Sequence, residues 1–463
     1  MKVKPVLLYA LLILPMLIGV ALLLLAGRTL EGTIATPSTV AVYNMVAVFS
    51  AAVRHPLPTM LLQIVVILAA AKGLGRIFKQ IGQQAVMGEI TAGILLGPSL
   101  LGWLSPHLFN HLFPTDSLGH LQLLSQLGLL LFMFVIGMEL DVDMLRSRLG
   151  ESLLISHSSI VFPYLLGVAF AYWSYNTFAP AHTTFIEYAL FMGIAMSITA
   201  FPVLARILKE RGMTTTPIGS MAIICAAIND VTAWCILPIV VAIAKAESMI
   251  GVLVTILLTL SYLAVMIFWL KPSLEYLNIR WAQDGAKSKA FVSVAILTLL
   301  ISAFVAEVIG IHALFGAFIA GAVMPSSQSI KKVLTDRLED VSLNMLMPVF
   351  FALTGLRTNI GSLTEGNLWL ICGVIIALAI SGKLLGSAIA AHLTGMSWRE
   401  SLSIGALMNT RGLMELIVLN IGYDLGILRQ DIFTMLVFMA LITTFMTAPL
   451  LNIIERVKLT SAE

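Results

Sequence analysis

The chain has 463 residues, of which 59% are hydrophobic and 11% charged, with a formal net charge of +3. Soluble domains carry about 25% charged residues, so a water-soluble globule is excluded, and so is a disordered chain, which is poor in apolar residues. The small net charge gives no reason to expect nucleic acid as a partner, and Cys225, Cys235 and Cys372 lie in apolar runs without a metal or disulfide pattern.

A membrane helix needs about 20 apolar residues, whereas a barrel strand shows about 10 in strict alternation. The apolar runs here are long and rich in Leu, Ile, Ala and Gly, which predicts an all-α polytopic membrane protein. In chain order the first run is 6–27, behind Lys2 and Lys4. It exceeds the usual h-region of a signal peptide, so residues 1–56 are read as a retained, signal-like N-terminal helix and an extracytoplasmic linker. Thirteen further helices are expected at 57–79, 84–104, 118–139, 151–174, 185–209, 217–244, 249–270, 289–309, 311–325, 340–357, 366–394, 400–425 and 431–455. The run 311–325 is short and reads as a buried or tilted helix. These helices make one transmembrane domain over 57–456, with a short tail at 457–463 and no appended C-terminal domain expected.

Charge supports this register. With the N-terminus inside, the inner loops hold 20 of the 27 Lys and Arg residues and the outer loops five, while Lys383 and Arg411 lie within spans. That asymmetry follows the positive-inside rule. With the first helix retained, both termini are expected in the cytoplasm, and the expected location is a plasma membrane, the inner membrane of a bacterium.

A weak internal symmetry runs through the chain. Ala85, Gly88, Ala92 and Gly93 recur as Ala313, Gly316, Ala320 and Gly321, offset by 228; Phe132 and Gly137 recur as Phe350 and Gly355, offset by 218. The matching segments run in opposite directions through the membrane, as inverted-topology repeats of secondary transporters do. The third span of each expected repeat is interrupted. Pro202 follows Ser197-Ile198-Thr199-Ala200-Phe201 and disfavours helical geometry at Phe201. Met408-Asn409-Thr410-Arg411-Gly412 puts polar groups inside an apolar span. Such groups must line a cavity or be packed in protein. Two broken helices crossing near the midplane are expected, with carbonyls near 198–200 free for a cation and Arg411 opposite helix C-terminal ends.

A charge at the bilayer centre costs about 2.5–3.5 kcal/mol, so each buried ionisable group needs a reason. Asp230 sits mid-span beside Asn229. One carboxylate can hold a proton or a monovalent cation, and that competition suffices for antiport if the site faces each side in turn. The alternative is a fixed ion pair with Lys383 or Arg411. Arg411 and Glu415 are spaced for an i,i+4 pair. Glu89, Glu307, His157, His312 and His392 lie at or near span ends and read as ordinary satisfied groups.

Ser197 to Arg206, Ile228 to Trp234 and Asn409 to Asn420 together resemble the monovalent cation:proton antiporter family, in its second large branch, and are especially similar to plant cation/proton exchangers and their bacterial relatives. The resemblance implies a six-helix core moving against a dimerisation panel, in a homodimer. It implies Asp230 as carrier, with Asn229, Thr199 and Ala200 at the cation/proton site. Pro202, Asn409, Thr410, Arg411, Lys383 and Glu415 would serve the broken helices and their charge compensation. An Asn-Asp pair implies electroneutral exchange of K+ or Na+ for H+. Lys383 matches a basic residue that partners the first acid in Asp-Asp members, an acid absent here.

A sodium-coupled solute symporter of similar fold and a cation channel are the alternatives, although no channel filter motif is present. No H-E-x-x-H or G-x-x-x-x-G-K-[ST] motif is present, so neither an enzyme nor a cofactor is expected.

Overall fold

The computed structural model describes residues 55–139, 149–214, 216–245, 249–281, 285–325, 327–364 and 366–460. The expected helix at 6–27 and the end of the expected tail, 461–463, lie outside them. The chain divides into Met1–Pro58 and Thr59–Glu463, and the packing that forms the site belongs to the second unit.

Among the described residues every regular element is helical. The helices are α1 (Pro56–Gln80), α2 (Ala85–Leu96), α3 (Thr115–Glu139), α4 (Leu149–Phe178), α5 (Phe185–Ser197), α6 (Phe201–Glu210), α7 (Pro217–Lys245), α8 (Met249–Ala264) and α9 (Lys271–Trp281). They continue as α10 (Gly285–Ile309), α11 (Ala313–Ala322), α12 (Gln328–Val341), α13 (Met347–Arg357), α14 (Leu368–Leu393), α15 (Trp398–Met408), α16 (Leu413–Asp424) and α17 (Gln430–Thr460). Ten helical stretches among the described residues are long and apolar enough to cross a membrane, and Phe185–Ser197 and Ala313–Ala322 are shorter apolar helices.

Several boundaries differ from the sequence expectation. The run 249–270 does not end in a loop: it passes through a π-helical turn, Val265–Leu270, into α9. The segment expected from 340 begins at Gln328 and joins α13 through a second π turn, Ser342–Leu346. Polar, charged sequence can continue a helix once an apolar neighbour has nucleated it, so hydropathy marks the crossing part and not the helix end. The segment 84–104 is interrupted at Gly97, and Leu101–Leu104 forms a separate turn.

The helices pack in two sets. In one, α4 lies against α5, α7 and α14, α15 lies against α7, α14 and α17, and α16 lies against α5 and α17. In the other, α3 packs on α11 and α13, α2 on α13, and α10 on α11. Glycines permit the closest crossings of the second set. A Cβ on Gly93 would lie 2.0 Å from the Ala352 carbonyl oxygen, and one on Gly355 would lie 2.3 Å from that of Ile90, so α2 and α13 touch backbone to backbone. Gly137 and Gly321 do the same for α3 and α11, at 2.1 Å from the Phe318 oxygen and 2.0 Å from the Phe134 oxygen. Small residues give membrane helices this close approach.

Candidate functional site

The site is built where two helices stop inside the first set. α5 ends at Ser197, Ile198 is extended at φ −75° and ψ 139°, and α6 begins at Phe201. The break therefore precedes Phe201, a correction to the sequence expectation. Pro202 falls in the first turn of α6, where the missing N–H breaks no helical bond. α15 ends at Met408, and α16 starts after Gly412, whose φ of 157° and ψ of −126° suit glycine alone. A Cβ there would also press on Val203 at 3.0 Å.

The two breaks are tied to each other. The Ala200 N–H donates to the Thr410 carbonyl at 3.0 Å, and the Thr199 hydroxyl donates to the Met408 carbonyl at 3.0 Å. The expectation of free carbonyls needs narrowing at Ala200, whose own carbonyl takes the Leu204 N–H at 3.0 Å. α17 holds the second break from outside, through the Thr444 hydroxyl, which accepts the Arg411 N–H at 3.1 Å and lies 2.7 Å from the Arg411 carbonyl. The Thr410 hydroxyl donates to Leu407 at 2.7 Å.

Each half-helix C-terminus carries partial negative charge, and each meets a cation by a different route. Arg411 donates from Nη1 to the Ala195 carbonyl at 3.0 Å and from Nη2 to the Met196 carbonyl at 2.7 Å, at the end of α5. Its Nη1 also lies 3.3 Å from Glu415 Oε1, and both side chains are fully buried. Lys383, also fully buried, reaches the end of α15 through a hydroxyl. Its Nζ donates to Thr199 Oγ1 at 2.6 Å, and that hydroxyl donates in turn to Met408. A second ammonium bond goes to Ser159 Oγ at 3.1 Å.

Ser159 also accepts from Asn229 Nδ2 at 3.3 Å, while Asn229 Oδ1 takes the Thr199 N–H at 3.1 Å. The sequence reading does not single out Ser159. Its signal was Ser152, Ser156 and Ser159 at helical spacing on one face of α4.

Asp230 stands apart from this network. It is 6% exposed, and neither carboxylate oxygen has a hydrogen-bond partner. Lys383 and the Phe201 N–H face it without reaching bonding geometry, so no fixed ion pair with Lys383 or Arg411 holds it. Both amide atoms of the buried Asn409 and Oε2 of Glu415 are also unpartnered. A desolvated carboxylate without a partner needs a proton or a cation. Thus Thr199, Asn229 and Lys383 form one hydrogen-bonded group with Ser159, Arg411 and Glu415 form a second, Thr410 joins the two breaks through the Ala200 N–H, and Asp230 lies beside the first group. Among the described residues no cluster of three or more His, Cys, Asp or Glu could hold a metal ion. A site for a monovalent cation would instead draw on one carboxylate and neutral oxygens.

Comparison with known proteins bears directly on this geometry. A profile described as "Sodium/hydrogen exchanger, transmembrane" matches residues 64–453, across both breaks and Asp230. The chain belongs to the sodium/hydrogen exchanger family. It is 41% identical over 391 residues to the Na(+)/H(+) antiporter NhaS4 of Synechocystis sp., covering 84% of this chain and 95% of that relative. It is 38% identical to Cation/H(+) antiporter 19 of Arabidopsis thaliana over 86% of this chain and 50% of the relative. The K(+)/H(+) antiporter 1 of Saccharomyces cerevisiae is 34% identical over 86% of this chain and 46% of its own length. The chain thus spans nearly all of the first relative and about half of the plant and yeast ones. Among solved structures, the sodium proton antiporter MjNhaP1 from Methanocaldococcus jannaschii matches with a TM-score of 0.64 at 15% identity, over 86% of this chain and 98% of that one. The fold is shared with that antiporter, and the family and the relatives' names are those of cation/proton antiporters, transporters rather than enzymes.

Proposed function

We propose that this sodium/hydrogen exchanger family member is an electroneutral K+ or Na+ antiporter in which a proton and the cation compete for Asp230. The observation that carries the reading is the Asp230 carboxylate: buried, unpartnered, and next to two half-helices that end inside the bundle. Discontinuous helices at a repeat interface supply ion sites in secondary transporters. Asn229 cannot titrate, and its oxygen is occupied by the Thr199 N–H, so within the Asn229–Asp230 pair Asp230 is the residue that changes charge. One carboxylate exchanging one proton for one monovalent cation moves no net charge per cycle.

The two helix sets are the parts that alternate access requires. The set carrying Asp230 is the moving core, and the set held by glycine crossings is the panel. The paired crossings support an inverted repeat, because Gly93 and Gly321 are sequence equivalents, as are Gly137 and Gly355, and each crossing joins one of each kind. A homodimer in a plasma membrane, with both termini cytoplasmic, completes the reading.

Purified protein in liposomes with an imposed pH gradient tests it. Na+, K+, Li+ and choline are added in turn, with the membrane potential clamped or released. A cation-dependent collapse of the gradient is expected, insensitive to the clamp and lost in Asp230→Asn. Absence of cation-linked proton movement in folded protein would favour solute symport or a channel.

A further inference from the structure

Among the described residues, a group of polar bonds crosses between the two helix sets near one end. Arg357, the last residue of α13, pairs from Nη2 with Asp424 Oδ1 at 2.9 Å, and Asp424 is the last residue of α16. Its Nη1 donates to Asn420 Oδ1 at 2.8 Å, and Asn420 Nδ2 donates back to Thr354 Oγ1 at 2.8 Å. On α3, Gln122 donates to the other Asp424 oxygen at 3.1 Å. Gln430, at the start of α17, donates to the Arg357 carbonyl. The guanidinium also lies 5.5 Å over the Tyr423 ring. At the end of α7, Lys245 pairs with Glu307 of α10 at 3.0 Å. Toward the opposite face, Gln84 donates to the Val203 carbonyl at 2.9 Å.

An aromatic layer lies between this polar layer and Asp230. Trp234, one turn along α7 from Asp230 toward Lys245, stacks on Phe318 of α11 with ring centroids 5.9 Å apart and planes 18° off parallel. Trp234 is 4% and Phe318 5% exposed, so water is excluded there. A cavity of about 30 Å³ remains behind the polar layer, lined by Ser125, Phe350, Arg357, Asn420 and Asp424 among others. It has room for one water molecule. Arg357 and Lys245 both belong to the face poor in Lys and Arg, which is the extracytoplasmic one.

We infer that the Arg357–Asp424–Asn420–Gln122 cluster is an extracytoplasmic latch, closing the seam between the two helix sets above a Trp234–Phe318 plug. The inference rests on the alternating-access reading, since a moving core must part these bonds once per cycle. Charge-assisted bonds of this kind are strong and directional. Their strength sets the share of protein that is closed to the outside, and a change on one partner shifts that population.

The test reads access and not transport. Ser125 is 3% exposed and lines the cavity behind the latch. Ser125→Cys is made in a chain carrying Cys225→Ala, Cys235→Ala and Cys372→Ala, and reacted with a membrane-impermeant methanethiosulfonate from the extracytoplasmic side of oriented vesicles. Arg357→Gln and, separately, Asp424→Asn are expected to raise the labelling rate about tenfold, because either removes the charge pair and shifts the population toward the outward-open form. Two variants on opposite helix sets guard against one failing to fold. Unchanged labelling in the folded variants overturns the latch, as does a rise seen only from the cytoplasmic side. Cation-driven proton flux is recorded in the same vesicles. Its absence in the parent protein would sink the antiport reading, while the labelling rates would still decide the latch.

Discussion

Arg411 and Lys383 are both fully buried basic side chains, yet the fold uses them differently. Arg411 covers two carbonyls of α5 directly and keeps Glu415 as counter-charge. Lys383 reaches α15 only through the Thr199 hydroxyl. Removing the lysine leaves the Thr199 hydroxyl without a donor and Ser159 with Asn229 alone, and unmade buried hydrogen bonds cost about 1–3 kcal/mol. Lys383→Ala is therefore expected to lower the melting temperature in detergent while charge movement per cycle stays at zero; normal melting with an altered charge count would refute this. Thr199→Val cuts the same relay. The two substitutions should be non-additive by about 1 kcal/mol in a double-mutant cycle, since they break one network, and simple additivity would show that the lysine acts elsewhere. Asp230 and Arg411 were legible in the sequence because charge in an apolar run is costly and conspicuous, and Asn229 because it stands beside Asp230. Ser159 was not, because serine passes unremarked in a membrane helix and its role depends on which helix lies opposite.

The helix breaks were legible for a related reason. Pro202 and Gly412 punctuate spans that hydropathy alone would have drawn as continuous, and the structure stops helices at Ser197 and Met408. The boundary itself was misplaced at Phe201, because proline disturbs the helix before it and suits the first turn of the helix it begins. The ends of α9 and α12 were illegible, since polar helices leave no mark in a hydropathy profile. Close glycine crossings carry a prediction at this scale. Gly355→Ala puts a methyl 2.3 Å from a backbone oxygen of α2, where only the backbone can give way. A loss of about 1–3 kcal/mol is expected from overpacking. Gly373→Ala, on α14 with nothing within 4 Å, should instead be neutral or gain about 0.5–1 kcal/mol from helix propensity. Thermal unfolding of the two variants side by side checks this, and equal effects would mean that the α2–α13 crossing tolerates separation.

For the molecule as a transporter, the proposed competition at one carboxylate makes a quantitative demand on pH. On the proposed reading, the cation binds only the deprotonated Asp230 and the proton only the cation-free form. When both sides are held at the same pH, each unit by which pH falls below the apparent pKa of the site removes nine-tenths of the remaining carboxylate. The KM for the cation should then rise about tenfold per pH unit, while the rate at saturating cation stays constant until proton release becomes limiting. Above that pKa, KM should level off, and the turnover should fall as protons become too scarce to carry the return step. A second titrating carrier would steepen the dependence to about a hundredfold per unit. Asn229 stands where a second acid would be needed beside Asp230, and the Lys383 amine bonds to the Ser159 and Thr199 hydroxyls rather than to a carboxylate. Initial exchange rates against cation concentration, taken at half-unit pH steps with symmetric buffers, give the slope directly. A slope near one ties stoichiometry to Asp230 alone, and a slope near two would transfer a proton-carrying role to Lys383.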